Sequence, residues 1–440
     1  MHSLPIQPVT QPFRKTICIP GSKSITNRAL PLAALALGES TLTGVLFADD
    51  TRQMIAALQT LGYSLHVDEP ARTVTLLGRG SDIPAKNAAL SCGNSGTTIR
   101  FLTALLAVAH GQYELDGIAR MRQRPIDQLV DQLRALGAPI DYAQQPGFPP
   151  LVLHAQGLLG GGCRFEDAKS SQYISAVLMA APYAQNPVTV QLVGPVTSEP
   201  YVNMTLRMMQ QFGVSVSVHD QCAPAGGRAE IPSRILQIPT ASYKPRPYAI
   251  EPDASNASYF LAAAALCKGS SITLEGLGKN SLQGDIAFAD VLHQMGANLL
   301  FGPDFVTISA PSDGQLRGLD LDMNHIPDMV QTLAIVALFA QGPTTARNVW
   351  NLRVKETDRL AALETELKKL GAIVSTTRDS ITITPSQKPT PASIATYEDH
   401  RMAMAFAIAG LRIPGIIIQD PACTAKTYPA YFDDLAQLYT

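Results

Sequence analysis

Met54-Ile55-Ala56-Ala57-Leu58-Gln59-Thr60-Leu61-Gly62 has the spacing of an amphipathic helix closed by a glycine, and a short alternating strand pattern follows. A glycine just past the last apolar residue is where a helix C-cap belongs, because other side chains resist the left-handed backbone needed there. The same phrase returns at 129–137, 206–213, 286–296 and 363–371. The five glycines, Gly62, Gly137, Gly213, Gly296 and Gly371, are spaced 75, 76, 83 and 75 residues apart. A sixth copy starts at Tyr431-Phe432-Asp433-Asp434-Leu435 and reaches no glycine. A period near 75 is longer than solenoid repeats, so each copy is predicted to be a small α/β unit with its own strands and helices.

Each unit carries a second helical pattern that is apolar nearly all round but polar at its start. Gly21-Ser22-Lys23-Ser24-Ile25-Thr26-Asn27-Arg28 leads into one, Asn94-Ser95-Gly96-Thr97 into the next and Ser170-Ser171-Gln172-Tyr173 into the third. Asp253-Ala254-Ser255-Asn256, His325-Ile326-Pro327-Asp328 and Glu398-Asp399-His400-Arg401 lead into the other three. Helices this apolar are expected to be buried. Helix N-termini also carry unpaired N–H groups and partial positive charge, so with Lys23 and Arg28 added the natural ligand is an anion.

Six units divide into three plus three. The Pro/Gly/Ala-rich stretch 222–227 and the loop Pro239-Thr240-Ala241-Ser242-Tyr243-Lys244-Pro245-Arg246-Pro247 read as turn and linker. The expected domains are therefore 21–238, and 1–20 joined to 239–440, with hinges near 20–21 and 238–244. Helix starts from both are expected to face a common cleft, a usual place for small ligands.

Composition narrows the class of ligand. With 46% hydrophobic residues, 16% charged residues and a net charge of −2, the chain is an ordinary globular protein without a basic surface for nucleic acid or anionic membranes. The six cysteines form no C-x-x-C pair, so free thiols in a reducing cytosol are expected rather than a metal site or a disulfide framework. The N-terminus has no signal pattern, and apolar runs such as 257–267 are far short of a membrane span, so a cytoplasmic protein is expected.

Cations then recur where apolar helices begin. Arg120, Arg122 and Arg124 precede Pro125, Arg353, Lys355 and Arg359 crowd one helix start, Arg401 another, and Lys426 lies in a turn-rich loop. One such cation is usually structural; matching positions along the chain point to a ligand carrying several negative charges.

Ordered along the chain, these motifs resemble the 5-enolpyruvylshikimate-3-phosphate synthase family. They are Pro20-Gly21-Ser22-Lys23-Ser24 with Asn27-Arg28, Gly93-Asn94-Ser95-Gly96-Thr97, Arg124-Pro125, Ser170-Ser171-Gln172, His325-Ile326-Pro327-Asp328, Arg353 through Arg359, Asp399-His400-Arg401-Met402 and Cys423-Thr424-Ala425-Lys426-Thr427. The likeness is collinear and spans essentially the whole chain. It implies two similar domains, each of three βαββαβ units in an inside-out α/β barrel, with helix N-termini facing an interdomain cleft. It implies transfer of the enolpyruvyl group of phosphoenolpyruvate to the 5-hydroxyl of shikimate 3-phosphate, with release of phosphate, on the way to chorismate and aromatic amino acids. No metal or organic cofactor is implied, nor a partner beyond the two substrates, and a monomer is expected.

By the same resemblance Lys23, Gly96, Arg124, Gln172, Arg359, Arg401 and Lys426 surround phosphoenolpyruvate. Lys23, Ser24, Arg28, Ser170, Ser171, Gln172, Ser198, Tyr201, Asp328, Asn351 and Lys355 hold shikimate 3-phosphate. Addition followed by elimination needs an acid and a base on opposite sides of the reacting carbon. Asp328 is the expected base at the 5-hydroxyl, Glu356 the group exchanging protons with the methylene carbon, and Lys23 a donor to the leaving phosphate. Gly96 and the Ser-Ser-Gln run look like the glyphosate-sensitive class. Phe101 departs from the pattern, standing where many members have proline, and is expected to alter the phosphoenolpyruvate pocket.

Three rival readings are weaker. UDP-N-acetylglucosamine enolpyruvyl transferases share fold and chemistry, but Ser170-Ser171-Gln172 speaks against one. A P-loop nucleotide binder would need a Gly-x-x-x-x-Gly-Lys frame that Gly21-Ser22-Lys23-Ser24 lacks. A non-catalytic two-domain anion-binding protein would explain the cations but not Asp328 and Glu356, which repel such a ligand.

Overall fold

All five repeat glycines have left-handed backbone, with φ of 82° at Gly62, 97° at Gly137, 92° at Gly213, 117° at Gly296 and 87° at Gly371. Each follows an outer helix: Asp49–Thr60, Asp127–Ala135, Glu199–Gln211, Phe288–Gln294 and Arg359–Lys369. The structure is a computed structural model describing residues 3–225 and 228–439; Gly226-Gly227 and the side chains of 222–232 lie outside the described residues.

The apolar patterns form six inner helices, α1 (Lys23–Leu35), α2 (Gly96–Ala107), α3 (Ser171–Ala180), α4 (Ala254–Leu266), α5 (Val330–Ala337) and α6 (His400–Gly410). Every residue of α4 and α6 is buried, as is α1 from Ile25 onward. Burial is worth roughly 1.5–3 kcal/mol for each large apolar side chain, so these helices take their stability from packing rather than from propensity.

One repeat serves as the pattern for the others. Strand Asn87–Ser91 runs parallel to His110–Asp116, with α2 as the crossover between them. After the outer helix, Ile140–Tyr142 and Leu151–Gln156 form a hairpin whose second strand pairs antiparallel with His110–Asp116. The order within a repeat is thus βαβαββ and not the expected βαββαβ. Parallel neighbours need a long crossover whereas antiparallel ones need only a turn, so the single hairpin comes last, after both helices.

The chain divides into two units, one of residues 21–250 and one of 1–20 with 251–440. The second crossing lies beyond the expected 238–244 because 239–250 fold onto the first of these units. Tyr243 is 1% exposed there, and its hydroxyl donates to the Met179 carbonyl at 2.9 Å. Proline signalled a loop in this stretch, and aromatic burial anchors it.

Both crossings separate a strand from the helix that follows it. Arg14–Ile17 precedes α1 in sequence but pairs in parallel with Ser271–Glu275 of unit 1–20/251–440. Tyr248–Ala249 precedes α4 but pairs in parallel with Leu37–Thr43 of unit 21–250. The sixth repeat is completed from the other end of the chain: Ser3–Pro5 pairs antiparallel with Ile417–Gln419, which runs parallel to Ser393–Ile394. Unit 21–250 therefore holds three four-stranded sheets, and the other unit two four-stranded sheets and this three-stranded one, beside a two-stranded pair.

Cys92, Cys163 and Cys267 are buried, Cys18 is exposed and Cys423 is half-buried, all as free thiols. Among the described residues no helix is long and apolar enough to cross a membrane.

Candidate active site

In unit 21–250 the inner helices begin on serine. Ser22 accepts from the Ile25 N–H at 3.3 Å, Ser95 from Thr98 at 3.4 Å and Ser170 from Gln172 at 3.3 Å. A neutral cap satisfies an N–H without cancelling the partial positive charge of the helix end. Lys23, the first residue of α1, sits 3.3 Å from Asp50 in the first turn of the neighbouring outer helix. Asn27 donates to the Thr97 hydroxyl at 2.7 Å and ties α1 to the start of α2.

Gly96 opens α2 directly against Arg124. A β-carbon at position 96 would lie 2.7 Å from Arg124 Nη2, so glycine is what allows the approach. Arg124 Nη1 donates to the Asn94 carbonyl at 3.0 Å. Arg100 draws the same neighbourhood together. Its Nη1 donates to Gln172 Oε1 at 2.5 Å, its Nη2 to the Pro125 carbonyl at 3.3 Å, and its guanidinium lies 5.0 Å from the Tyr173 ring centre. Ser171 is buried as the first residue of α3. Ser198 is buried with φ of +58°, an uncommon conformation for serine and one concentrated at functional sites.

Arg28 is 1% exposed, and its partners are neutral. Nε donates to Thr205 Oγ1 at 2.8 Å, Nη1 to the Ser24 carbonyl at 3.0 Å, and Nη2 to Ser175 Oγ at 3.2 Å and the Tyr201 carbonyl at 3.5 Å. Desolvation lowers its pKa to about 10, with Tyr201 opposing. No carboxylate pairs with it among the described residues. Lys23, Ser24, Arg28 and Tyr201 are thus brought together around α1, and Gly96, Arg124, Ser170, Ser171 and Gln172 around the starts of α2 and α3.

The second unit gathers charges of both signs. Asp328 lies in a 3-10 turn, Pro327–Met329, that leads into α5. Its Oδ1 is 3.3 Å from Lys355 Nζ and 3.2 Å from Arg359 Nη1, and its Oδ2 is 3.2 Å from Arg401 Nη2. Burial pushes its carboxyl upward, but Lys355, Arg401 and Arg359 together hold it well below the usual carboxylate range. Arg359 is 1% exposed at the start of its outer helix. Its Nε and Nη2 grip Asp399 at 2.7 and 3.1 Å, and Nη2 also lies 2.9 Å from Glu356. Desolvation opposes its charge, yet Asp399, Glu356 and Asp328 raise its pKa above the ordinary arginine value. Lys355 is pulled down by burial and partly restored by Asp328. Asn351 is buried in the 3-10 turn Trp350–Val354, and buried Lys426 ends the 3-10 helix Pro421–Lys426 that packs on α6.

Sequence reasoning missed the groups that hold these cations. Asp399 caps α6, accepting from the Arg401 N–H at 2.9 Å while it holds Arg359. Its place directly before His400-Arg401 was the available signal. Asp50, which meets Lys23, and Arg100, which meets Gln172, lie on other elements of the unit, and no spacing announced them. Among the described residues no group of three or more His, Cys, Asp or Glu is arranged to hold a metal ion.

The family model described as EPSP synthase (3-phosphoshikimate 1-carboxyvinyltransferase) matches residues 8–435. A 3-phosphoshikimate 1-carboxyvinyltransferase of Vibrio cholerae serotype O1 (strain M66-2) is 47% identical over 443 residues, covering 100% of both chains. One from Laribacter hongkongensis is 49% identical over 431 residues and covers 97% of each. Among solved structures, an EPSP synthase from Acinetobacter baumannii superposes with a TM-score of 0.80 at 26% identity, covering 100% of this chain and 98% of that one. The enolpyruvyl transferase NikO from Streptomyces tendae shares the fold, with a TM-score of 0.75 at 18% identity over 99% of this chain and 97% of its own. A match over nearly the whole chain, joined to these two sets of buried cations, leads to one conclusion: the chain belongs to the EPSP synthase family.

Proposed function

We propose that the two cation sets serve one reaction, transfer of the 1-carboxyvinyl group of phosphoenolpyruvate to the 5-hydroxyl of shikimate 3-phosphate with release of inorganic phosphate. The chain is an enzyme of this transferase class, acting in the shikimate route to aromatic amino acids. The observation that carries the assignment of roles is the convergence of Lys355, Arg359 and Arg401 on Asp328 within 3.3 Å. Carboxylate and phosphate are alike in charge and in the bidentate geometry guanidinium prefers, so a set that holds Asp328 suits phosphoenolpyruvate equally well.

Arg359, Arg401 and Lys426, with Lys23, Arg124, Gln172 and the close backbone at Gly96, hold phosphoenolpyruvate. Lys23, Ser24, Arg28, Ser170, Ser171, Gln172, Ser198 and Tyr201, with Asp328, Asn351 and Lys355, hold shikimate 3-phosphate. The 5-hydroxyl oxygen bonds to C2 of phosphoenolpyruvate as its proton passes to Asp328 and protonated Glu356 gives its proton to the C3 methylene. The tetrahedral adduct then loses phosphate, and the methyl carbon returns a proton to Glu356 as the vinyl bond re-forms. Lys23 donates to the leaving phosphate.

Asp328 gripped by three cations is a poor base. When substrate anions take up part of that positive charge, its proton affinity rises, so base strength is tied to substrate arrival. We take the chain to work as a monomer in the cytoplasm without metal or organic cofactor, and glyphosate to compete with phosphoenolpyruvate.

Mixing the protein with phosphoenolpyruvate and shikimate 3-phosphate and measuring phosphate release tests the reading. Release only with both substrates is expected. Saturable binding without release would identify a non-catalytic anion-binding protein, and release with UDP-N-acetylglucosamine in place of shikimate 3-phosphate would identify the sister chemistry.

A further inference from the structure

Phe101 stands in the second turn of α2, and its ring is 1% exposed. The sequence expectation tied it to phosphoenolpyruvate, through Gly96 and Thr97 on the same helix. The ring instead faces a cation on another helix: the Arg28 guanidinium carbon is 5.1 Å from the Phe101 ring centre. The Tyr201 ring lies 5.7 Å from the same carbon. Arg28 is thus buried between aromatic rings and neutral oxygens, with no carboxylate paired to it among the described residues. Burial strips such a cation of water, and an aromatic face offsets part of that cost by attracting the charge through the ring quadrupole while it holds the guanidinium plane. Proline or an aliphatic side chain at 101 would offer no such face.

We propose that Phe101 is a positioning residue for Arg28, and that through Arg28 it sets the affinity for shikimate 3-phosphate and leaves that for phosphoenolpyruvate largely alone. This rests on the reading that Arg28 holds shikimate 3-phosphate. The ring keeps the guanidinium plane fixed on Ser24, Ser175 and Thr205, so the charge is presented in one orientation and pays no ordering cost when the substrate anion arrives.

The test uses Phe101→Leu and Phe101→Met, which keep an apolar side chain without a ring, beside Phe101→Tyr, which keeps the ring face. Calorimetric titration with shikimate 3-phosphate is expected to show about tenfold weaker binding for Phe101→Leu and Phe101→Met, and near-normal binding for Phe101→Tyr. Under turnover, KM for shikimate 3-phosphate rises by a similar factor, while kcat and KM for phosphoenolpyruvate stay within about twofold. The two ring-less variants are independent, so failure of one to fold leaves the other to decide. Equal rises in both KM values would overturn the proposal in favour of general packing. Arg28→Gln separates the levels. If it weakens shikimate 3-phosphate binding while the ring-less variants bind normally, the role of Phe101 falls and that of Arg28 stands. If Arg28→Gln binds normally, the reading beneath the proposal fails.

Discussion

Apart from α5, which runs on from a 3-10 turn, the inner helices of the two units start from the same extended cap backbone and differ in the chemistry of the cap. In unit 21–250 the caps are Ser22, Ser95 and Ser170, and in the other unit Asp253 and Asp399 cap α4 and α6. A serine cap leaves the helix end positive, whereas an aspartate cap supplies a counter-charge. The cations follow suit. Arg28 is surrounded by hydroxyls, carbonyls and rings, while Arg359 is paired with Asp399, Glu356 and Asp328. Lys23 of unit 21–250 does meet Asp50, so the contrast is between the two buried arginines: Arg28 has neutral partners and Arg359 has carboxylates. Removing the same residue type should therefore have different consequences for stability in the two places.

Replacing the two arginines would break this contrast most directly. Arg359→Ala leaves Asp399, Asp328 and Glu356 without their shared partner and is expected to cost about 3–5 kcal/mol in denaturant unfolding, with turnover lost. Arg28→Met removes a buried charge that has no carboxylate partner among the described residues. Its unfolding free energy is expected to stay within about 1 kcal/mol of the parent, while shikimate 3-phosphate binding weakens on the order of a hundredfold by calorimetry. If both variants lost stability equally, the two clusters would not differ as described.

Gly96→Ala sharpens the picture inside unit 21–250. The new methyl would stand 2.7 Å from Arg124 Nη2, so the guanidinium must move. KM for phosphoenolpyruvate is expected to rise about tenfold, with calorimetric affinity for shikimate 3-phosphate little changed. A larger loss for shikimate 3-phosphate would place Arg124 with the other substrate.

The smallest effect is an acid limb. Asp328 has a folded-state pKa well below its unfolded value of about 3.9, so the unfolded chain binds more protons between those values. Its stabilising contribution is complete above about pH 4–5 and is lost as pH falls below about 4. Unfolding midpoints of the parent should drop more steeply in that range than those of Asp328→Asn; parallel curves would remove Asp328 from the network.

Much of this was legible in the sequence because it is local. The helix-ending glycines, the polar starts of apolar helices and the cations beside them lie within a few residues of one another. What was hidden is what the tertiary fold brings together: Asp50 on Lys23, Asp399 on Arg359, Arg100 on Gln172 and Phe101 on Arg28. The charge of Arg359 could be read from its letter, but its neutralisation by a cap 40 residues away could not. The βαββαβ order was implied by the resemblance alone, and the chain's own elements run βαβαββ.

The strand Arg14–Ile17, which among the described residues pairs only with Ser271–Glu275, has a consequence during synthesis. A ribosome adding about 5–20 residues each second needs on the order of ten to fifty seconds to deliver that partner. All of unit 21–250 emerges in the interval and can fold, whereas the N-terminal strand waits with its backbone groups unpaired. Ser3–Pro5 waits longer still, until Ile417–Gln419 has been made. Unit 1–20/251–440 is therefore the last to be assembled, and strands Ser3–Pro5 and Arg14–Ile17 are the segments that chaperones have the longest time to meet.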